Sequence, residues 1–369
     1  MRAFEDHVYA VILAGGSGTR FWPKSRQKTP KQLCAIGDAE DTMIEITLQR
    51  LNGLIPPSRR IIVTHIDQID LTKQIVGDQC EHFLAEPEAR NTANALALAS
   101  LDIAARHQGD KEPIMISLHA DHVIQKESAF RQALAAAVTT AESGYLTLLG
   151  IVPGYPETGY GYIEQGEDLD SGIHSFKVAS FREKPDRRMA TEYVESGRFL
   201  WNAGIFIWKN DVLLHELSER LPNTMRDLKD LLTSNNAQDK GFNNIPFPAL
   251  QETYHNLTKI SIDHAILELS SNVACVSADI GWQDVGSWDA LSKCFEQDED
   301  GNLFYGDVIA LDTENSTVDT DQFLVATVGL KDMIVVCAKK AILVCPKDRA
   351  QDVKEVVAFL KQSGREDFI

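Results

Sequence analysis

Short apolar runs alternate with longer amphipathic or alanine-rich stretches over the N-terminal part of the chain. Residues 8–13, 60–64 (RIIVT) and 113–118 (PIMISL) are nearly continuous in apolar character and read as strands buried on both faces. Residues 82–85 and 145–150 read as further strands. Between them, Thr42-Met43-Ile44-Glu45 forms a capping box that opens a helix ending near Gly53. Residues 67–76, 91–106 and 127–142 read as helices, the second by its Ala and Leu content. Strands alternating with helices predict parallel βαβ units in an open sheet covered on both faces. Ligands of such sheets sit outside the carboxyl ends of the strands.

A strand is expected at 176–181, and residues 211–270 read mostly as helices. Past Glu296 the pattern changes. Residues 298–302 are polar and linker-like. Residues 308–344 break into short β-rich pieces with one-sided apolar alternation, separated by polar turns, which predicts a small β-solenoid. Residues 349–362 read as a terminal helix. The expected division is therefore residues 1–296 and 297–369.

The chain has 369 residues, 44% hydrophobic and 24% charged, the balance of an ordinary globular protein. No apolar run reaches membrane-spanning length, and the N-terminus lacks a basic segment followed by a cleavable apolar one. The six cysteines contain no C-x-x-C pair, which argues for reduced thiols in a cytoplasm rather than a zinc site. A net charge of −18 disfavours nucleic acid as a partner.

Against that acidic background, residues 7–37 hold no Asp or Glu but carry Arg20, Lys24, Arg26, Lys28 and Lys31. They also hold Ala14, Gly15, Gly16, Ser17, Gly18 and Thr19, all small, directly after the first strand. Small residues there let backbone N–H groups converge on an anion, and the local positive field suits a nucleoside triphosphate. Two other phosphate motifs are excluded. No Gly-Lys-Ser/Thr follows, and Phe21 stands where the dinucleotide fingerprint requires its third glycine.

The whole string, LAGGSGTRFWP…PKQL, resembles the signature of the sugar-nucleotide pyrophosphorylases (nucleotidyltransferases), most closely the mannose-1-phosphate guanylyltransferase branch. That resemblance implies a Rossmann-like, GT-A-like mixed α/β sheet followed by a small left-handed β-helix. It implies GTP and mannose 1-phosphate as substrates, GDP-mannose and pyrophosphate as products, and Mg²⁺ as cofactor. It allows a homodimer. The isomerase-type domain of some longer relatives is not expected here.

Other stretches extend the resemblance in family order. Residues 85–99 (AEPEARNTANALALA) are similar to the nucleobase loop and following helix, with Asn94 where the family usually has proline. Leu13 to Thr19, with Glu86, Asn91 and Thr92, would bind the nucleotide, although Asn91 equally reads as a helix cap. His119-Ala120-Asp121-His122 resembles the family's PADH, whose aspartate holds Mg²⁺; His119 replaces the proline. A hard cation prefers oxygen, so neither His119 nor His122 is assigned as its ligand. Gly161, Glu183, Lys184 and Asn202 fall on the sugar and sugar-phosphate motifs. Residues 261–268 resemble a further guanylyltransferase stretch but read by default as a packed helix. Asp284, between glycines and tryptophans, falls on the second metal carboxylate. Arg20, Lys31, Asp121 and Asp284 are the expected catalytic groups. The competing expectations are a pyrophosphorylase for another NTP or hexose 1-phosphate, and a non-catalytic subunit sensing GDP-mannose.

Overall fold

Alternate residues of the first strand enter two different cores. In β1 (Val8–Ala14), Tyr9, Val11 and Leu13 join one cluster, and Val8, Ala10, Ile12 and Ala14 join the other. A strand covered on both sides has no polar face, which explains the unbroken apolar run. The structure is a computed structural model, and it describes all residues except 1–3, 5, 17, 38, 170–173 and 293.

After β1 come α1 (Met43–Gln49), β2 (Arg60–His65), α2 (Ile69–Val76), β3 (His82–Glu86), α3 (Thr92–Arg106), β4 (Ile114–His119), β5 (His122–Ile124), α4 (Glu127–Glu142) and β6 (Leu146–Ile151). The capping box forms as expected: Thr42 N–H and Oγ1 donate to the Glu45 carboxylate, and Glu45 N–H returns to Thr42 Oγ1. Then follow β7 (Tyr162–Asp168), β8 (Ser175–Arg182), α5 (Arg187–Ser196), β9 (Phe199–Lys209), α6 (Asn210–Arg220), α7 (Pro222–Ser234), α8 (Phe247–Asn256), a π-helical turn (Asp263–Leu267), β10 (Val273–Ser277) and β11 (Trp282–Asp284).

The main sheet has nine strands in the order β3-β2-β1-β4-β9-β6-β10-β8-β7. Its first four are parallel, as the alternating pattern predicts. β9 then inserts antiparallel between β4 and β6, and β8 and β7 continue antiparallel, so the sheet is mixed. The small antiparallel ribbon of β5 and β11 pairs Asp284 with His122.

Residues 298–302 form a hydrogen-bonded turn in which the Asp298 carboxylate accepts from the N–H groups of Asp300 and Asn302. It follows α9 (Trp288–Ser292) and leads to β12 (Leu303–Tyr305), β13 (Val308–Leu311), β14 (Thr317–Thr320), β15 (Val325–Val328), β16 (Met333–Ala338), β17 (Ala341–Pro346) and α10 (Val353–Gln362). β12, β14 and β16 stack in parallel, as do β13 and β15, the repeat of a β-helix. β17 closes the stack antiparallel to β16.

This region shares a core with the segment after the glycine loop. Phe21, Trp22, Ile36 and Met43 pack with Trp288, Ile334, Val336, Leu343, Val353 and Leu360. Polar links follow the same seam. Trp22 Nε1 donates to Phe368 O at 2.7 Å, and Arg26 donates to Asp367 O at 2.8 Å. Lys24, 14% exposed, pairs with Asp319, 2% exposed, at 2.8 Å. All six cysteines are free. Among the described residues no helix is long and apolar enough to cross a membrane.

Candidate active site

The glycine loop leaves the carboxyl end of β1. Gly15 and Gly16 are exposed and present backbone without side chains. Ser17 lies outside the described residues. Gly18 has φ +57, and a Cβ there would lie 2.5 Å from Lys31 Cβ and 2.8 Å from Lys31 N. Only glycine permits both that conformation and that approach. Gln32, buried below the loop, donates to Ala14 O at 2.7 Å and Gly16 O at 3.1 Å. Thr19 begins a short 3-10 turn, Thr19–Phe21.

Lys31 is the pivot of the site. It is 3% exposed, and its ammonium donates to Asp121 O at 3.0 Å, Asp121 Oδ2 at 3.3 Å and Val285 O. It therefore ties the β4–β5 turn to the end of β11 and brings the Asp121 and Asp284 regions together. Burial opposes the Asp121 charge, but the Lys31 ammonium and the two flanking imidazoles together outweigh it and hold the carboxyl well below its usual range. Burial raises the Asp284 carboxyl against the pull of Lys31, and the Asp121 charge raises it further. Arg20 also attracts Asp284 and donates to Gln351 Oε1 at 3.0 Å. The C-terminal region thus reaches an expected catalytic group, a link that no local pattern signals.

Two neighbouring carboxylates with incomplete compensation fit a divalent cation, and their oxygen donors suit a hard one. His122 is buried, and Trp282 Nε1 donates to its Nδ1 at 3.2 Å. Burial, with His119 beside it, pushes the His122 imidazole down to about 3, so it is neutral.

Between the glycine loop and β3 lies a cavity of about 260 Å³, lined among others by Leu13, Ala14, Gly15, Glu86, Asn91, Thr92 and Asp121. Glu86, at the end of β3, is 7% exposed. Burial pushes its carboxyl up to about 7, against the hydrogen bond that Tyr254 donates to Oε1 at 3.3 Å. Asn91 has φ +70, and its Oδ1 caps α3 by accepting from Thr92 N at 2.8 Å. Thr92 Oγ1 accepts from Ile262 N at 2.9 Å. A larger open groove, about 1310 Å³, lies between residues 26–29 and the C-terminal residues and contains none of the expected site residues.

Gly161, Glu183 and Asn202 converge at the β7–β9 edge. A Cβ on Gly161 would lie 2.5 Å from Glu183 Oε2 and 3.3 Å from Asn202 Cβ. Glu183 Oε2 is buried without a hydrogen-bond partner, whereas Lys184 Nζ holds Oε1 at 2.7 Å. Lys184 has φ +49 and a side chain 63% exposed. Asn202 Nδ2 donates to Asp263 Oδ1 at 3.0 Å, and its Oδ1 accepts from Gly204 N. Burial and the nearby Glu183 charge push Asp263 up to about 6. Asp263 was not among the expected site residues. It begins the π-helical turn, and such turns are frequent at functional sites. Its signal in sequence is the resemblance of residues 261–268 to a guanylyltransferase stretch, which the default reading as a packed helix sets aside.

A glycine loop at the carboxyl end of the parallel strands, beside a buried lysine that ties Asp121 to the backbone next to Asp284, is the arrangement of a nucleotidyl transferase. Residues 9–301 match the nucleotidyl transferase family, and residues 306–360 match the MannoseP isomerase/GMP-like beta-helix domain. The chain is 40% identical to a mannose-1-phosphate guanylyltransferase of Escherichia coli (strain K12), over 98% of this chain and 75% of that protein. It is 39% identical to a mannose-1-phosphate guanylyltransferase of Salmonella typhimurium, over the same shares of 98% and 75%. A crystal structure described as a mannose-1-phosphate geranyltransferase from Thermus thermophilus superposes with a TM-score of 0.85 at 34% identity, over 96% of this chain and 99% of that one. The chain belongs to the mannose-1-phosphate guanylyltransferase family of nucleotidyl transferases.

Proposed function

We propose that the protein transfers GMP from GTP to mannose 1-phosphate, giving GDP-mannose and pyrophosphate. The observation that carries this reading is the buried Lys31 ammonium, which joins the Asp121 turn to the residue after Asp284 directly beside the glycine loop. The guanine occupies the Glu86 cavity, where a carboxylate accepts the two adjacent donors N1–H and N2–H₂. The amides of Gly15 to Thr19 receive the triphosphate. Glu183 and Asn202 accept and donate to the sugar hydroxyls, with Asp263 positioning Asn202. Lys184 holds the sugar phosphate.

A phosphate oxygen of mannose 1-phosphate forms a bond to the α-phosphorus of GTP, and the bond from that phosphorus to the bridging β-oxygen breaks. Pyrophosphate leaves opposite the attack, so no protein nucleophile is needed. Arg20 and Lys31 neutralise charge that develops on the transferring and leaving phosphates. Asp121 and Asp284 would hold a divalent cation, assigned as Mg²⁺, which supplies Lewis-acid neutralisation when bound. The reading carries with it a cytoplasmic enzyme and allows a homodimer, which sedimentation measures.

The test is pyrophosphate release over a matrix of the four common NTPs and several hexose 1-phosphates. GTP with mannose 1-phosphate should be turned over fastest. A faster pair elsewhere in the matrix would reassign the substrates, and no release with any pair would restore the sensing-subunit reading.

A further inference from the structure

The turn between β4 and β5 crowds three donors together: the ligand atoms of His119, Asp121 and His122 all lie within 4.8 Å of one another. The two imidazoles are not equivalent. An indole N–H can only donate, so the Trp282 bond makes His122 Nδ1 the acceptor and places the proton of the neutral ring on Nε2. A protonated nitrogen has no lone pair for a cation. His122 is thereby committed to the fold.

His119 is the opposite case. Neither of its ring nitrogens has a hydrogen-bond partner among the described residues, and its half-buried ring lines the same cavity as Asp121. Its Cδ2–Nε2 edge rests against Gly204, where a Cβ would come within 3.1 and 3.2 Å of those atoms. Gly204 has φ +65, a conformation that disfavours any side chain, so the backbone keeps that space for the ring. Lys31 occupies Oδ2 of Asp121 and leaves Oδ1 for another partner. Two metal–ligand bonds of about 2.1 Å span up to about 4.2 Å, so a modest rotation of either side chain lets one ion reach both His119 and Asp121.

We propose that His119 is a ligand of the cation held at Asp121, and that the site consequently favours a borderline transition ion such as Mn²⁺ or Co²⁺ over Mg²⁺. This rests on the reading of Asp121 and Asp284 as a metal site and changes its donor set from oxygen alone to oxygen plus imidazole. An imidazole adds little for Mg²⁺, which keeps oxygen ligands and its water. It strengthens binding of Mn²⁺ and, further along the series, Co²⁺.

The test uses the full chain loaded with Mn²⁺ in the absence of nucleotide, so that no substrate nitrogen contributes. Pulsed electron paramagnetic resonance should detect ¹⁴N coupling to the bound Mn²⁺ in the wild type and none in His119→Ala. Titration should show Mn²⁺ affinity falling in that variant by at least the roughly 10-fold that loss of even an outer-shell partner costs. Mg²⁺ affinity should scarcely change. Bound Mn²⁺ without ¹⁴N coupling in the wild type overturns the proposal while leaving the carboxylate site standing. Coupling that persists in His119→Ala also overturns it. Failure of the wild type to bind any divalent ion removes both the proposal and the metal reading beneath it.

Discussion

On the proposed placement of guanine, Glu86→Gln isolates the atom that would read the base. Tyr254 donates to Oε1, while Oε2 lies 3.4 Å from the Cβ position of Gly15, at the cavity. A glutamine keeps its oxygen toward Tyr254, because the phenol needs an acceptor, and so turns an –NH₂ into the cavity. One guanine donor then meets a donor, and the other loses a charged acceptor. Hydrogen bonds to charged groups contribute about 1.5–3 kcal/mol, and a buried unpaired donor costs about 1–3 kcal/mol. A net loss of about 3 kcal/mol lowers kcat/KM for GTP by about 100-fold. The assay is pyrophosphate release with GTP, UTP and ATP at pH 6 and pH 8.

The pH arm is specific to this carboxylate. The folded protein holds the Glu86 proton more tightly than the unfolded chain, from 4.5 to about 7. The stabilisation this provides is complete below the unfolded value and is lost as pH rises through 7, a difference of about 3 kcal/mol. Glu86→Gln should therefore raise Tm at pH 8 and leave it nearly unchanged at pH 4. If guanine binds at Glu86 it needs the ionised form, so wild-type GTP affinity should weaken by about tenfold per pH unit below 7, beyond whatever Glu86→Gln shows. The variant shares the titration of GTP itself and serves as the reference. An unchanged GTP preference in the variant, or identical pH profiles, would refute the assignment.

Asp284→Asn should lower turnover at least 100-fold while Tm holds or rises, because it removes a buried charge that Asp121 repels; EDTA should abolish activity, and full activity after EDTA would remove the metal from the reaction. Lys184→Ala should raise KM for mannose 1-phosphate by about tenfold, the value of one charge-assisted phosphate contact. Its Kd for GTP alone should stay constant, and a large loss of GTP affinity would move Lys184 to the nucleotide. Asp319→Asn should destabilise the protein by about 3 kcal/mol in urea denaturation, since it leaves the buried Lys24 ammonium with Asp321 alone. A shift below about 0.5 kcal/mol would mean that the seam between the glycine-loop arm and the β-helix is held by its apolar core instead.

Elements whose causes are local can be read directly from the chain. The apolar run of β1, the Thr42–Glu45 capping box and α4 at Glu127–Glu142 depend on neighbours within a few residues, so their pattern is complete in one dimension. The glycine loop and the acid-free basic segment were legible for the same reason. Which distant groups meet depends on how the elements pack. β9 enters the sheet antiparallel between β4 and β6 because its buried residues, among them Phe206 and Trp208, complete the core there, and no turn signal near residue 199 specifies that position. Asp263 reaches Asn202 across 61 positions, and Arg20 reaches Gln351 across 331. Trp282 sets the tautomer of His122 from 160 positions away and so leaves His119 as the free imidazole. A side chain's partner, protonation and reach depend on the chain segment packed against it, and for these residues that segment is remote in sequence.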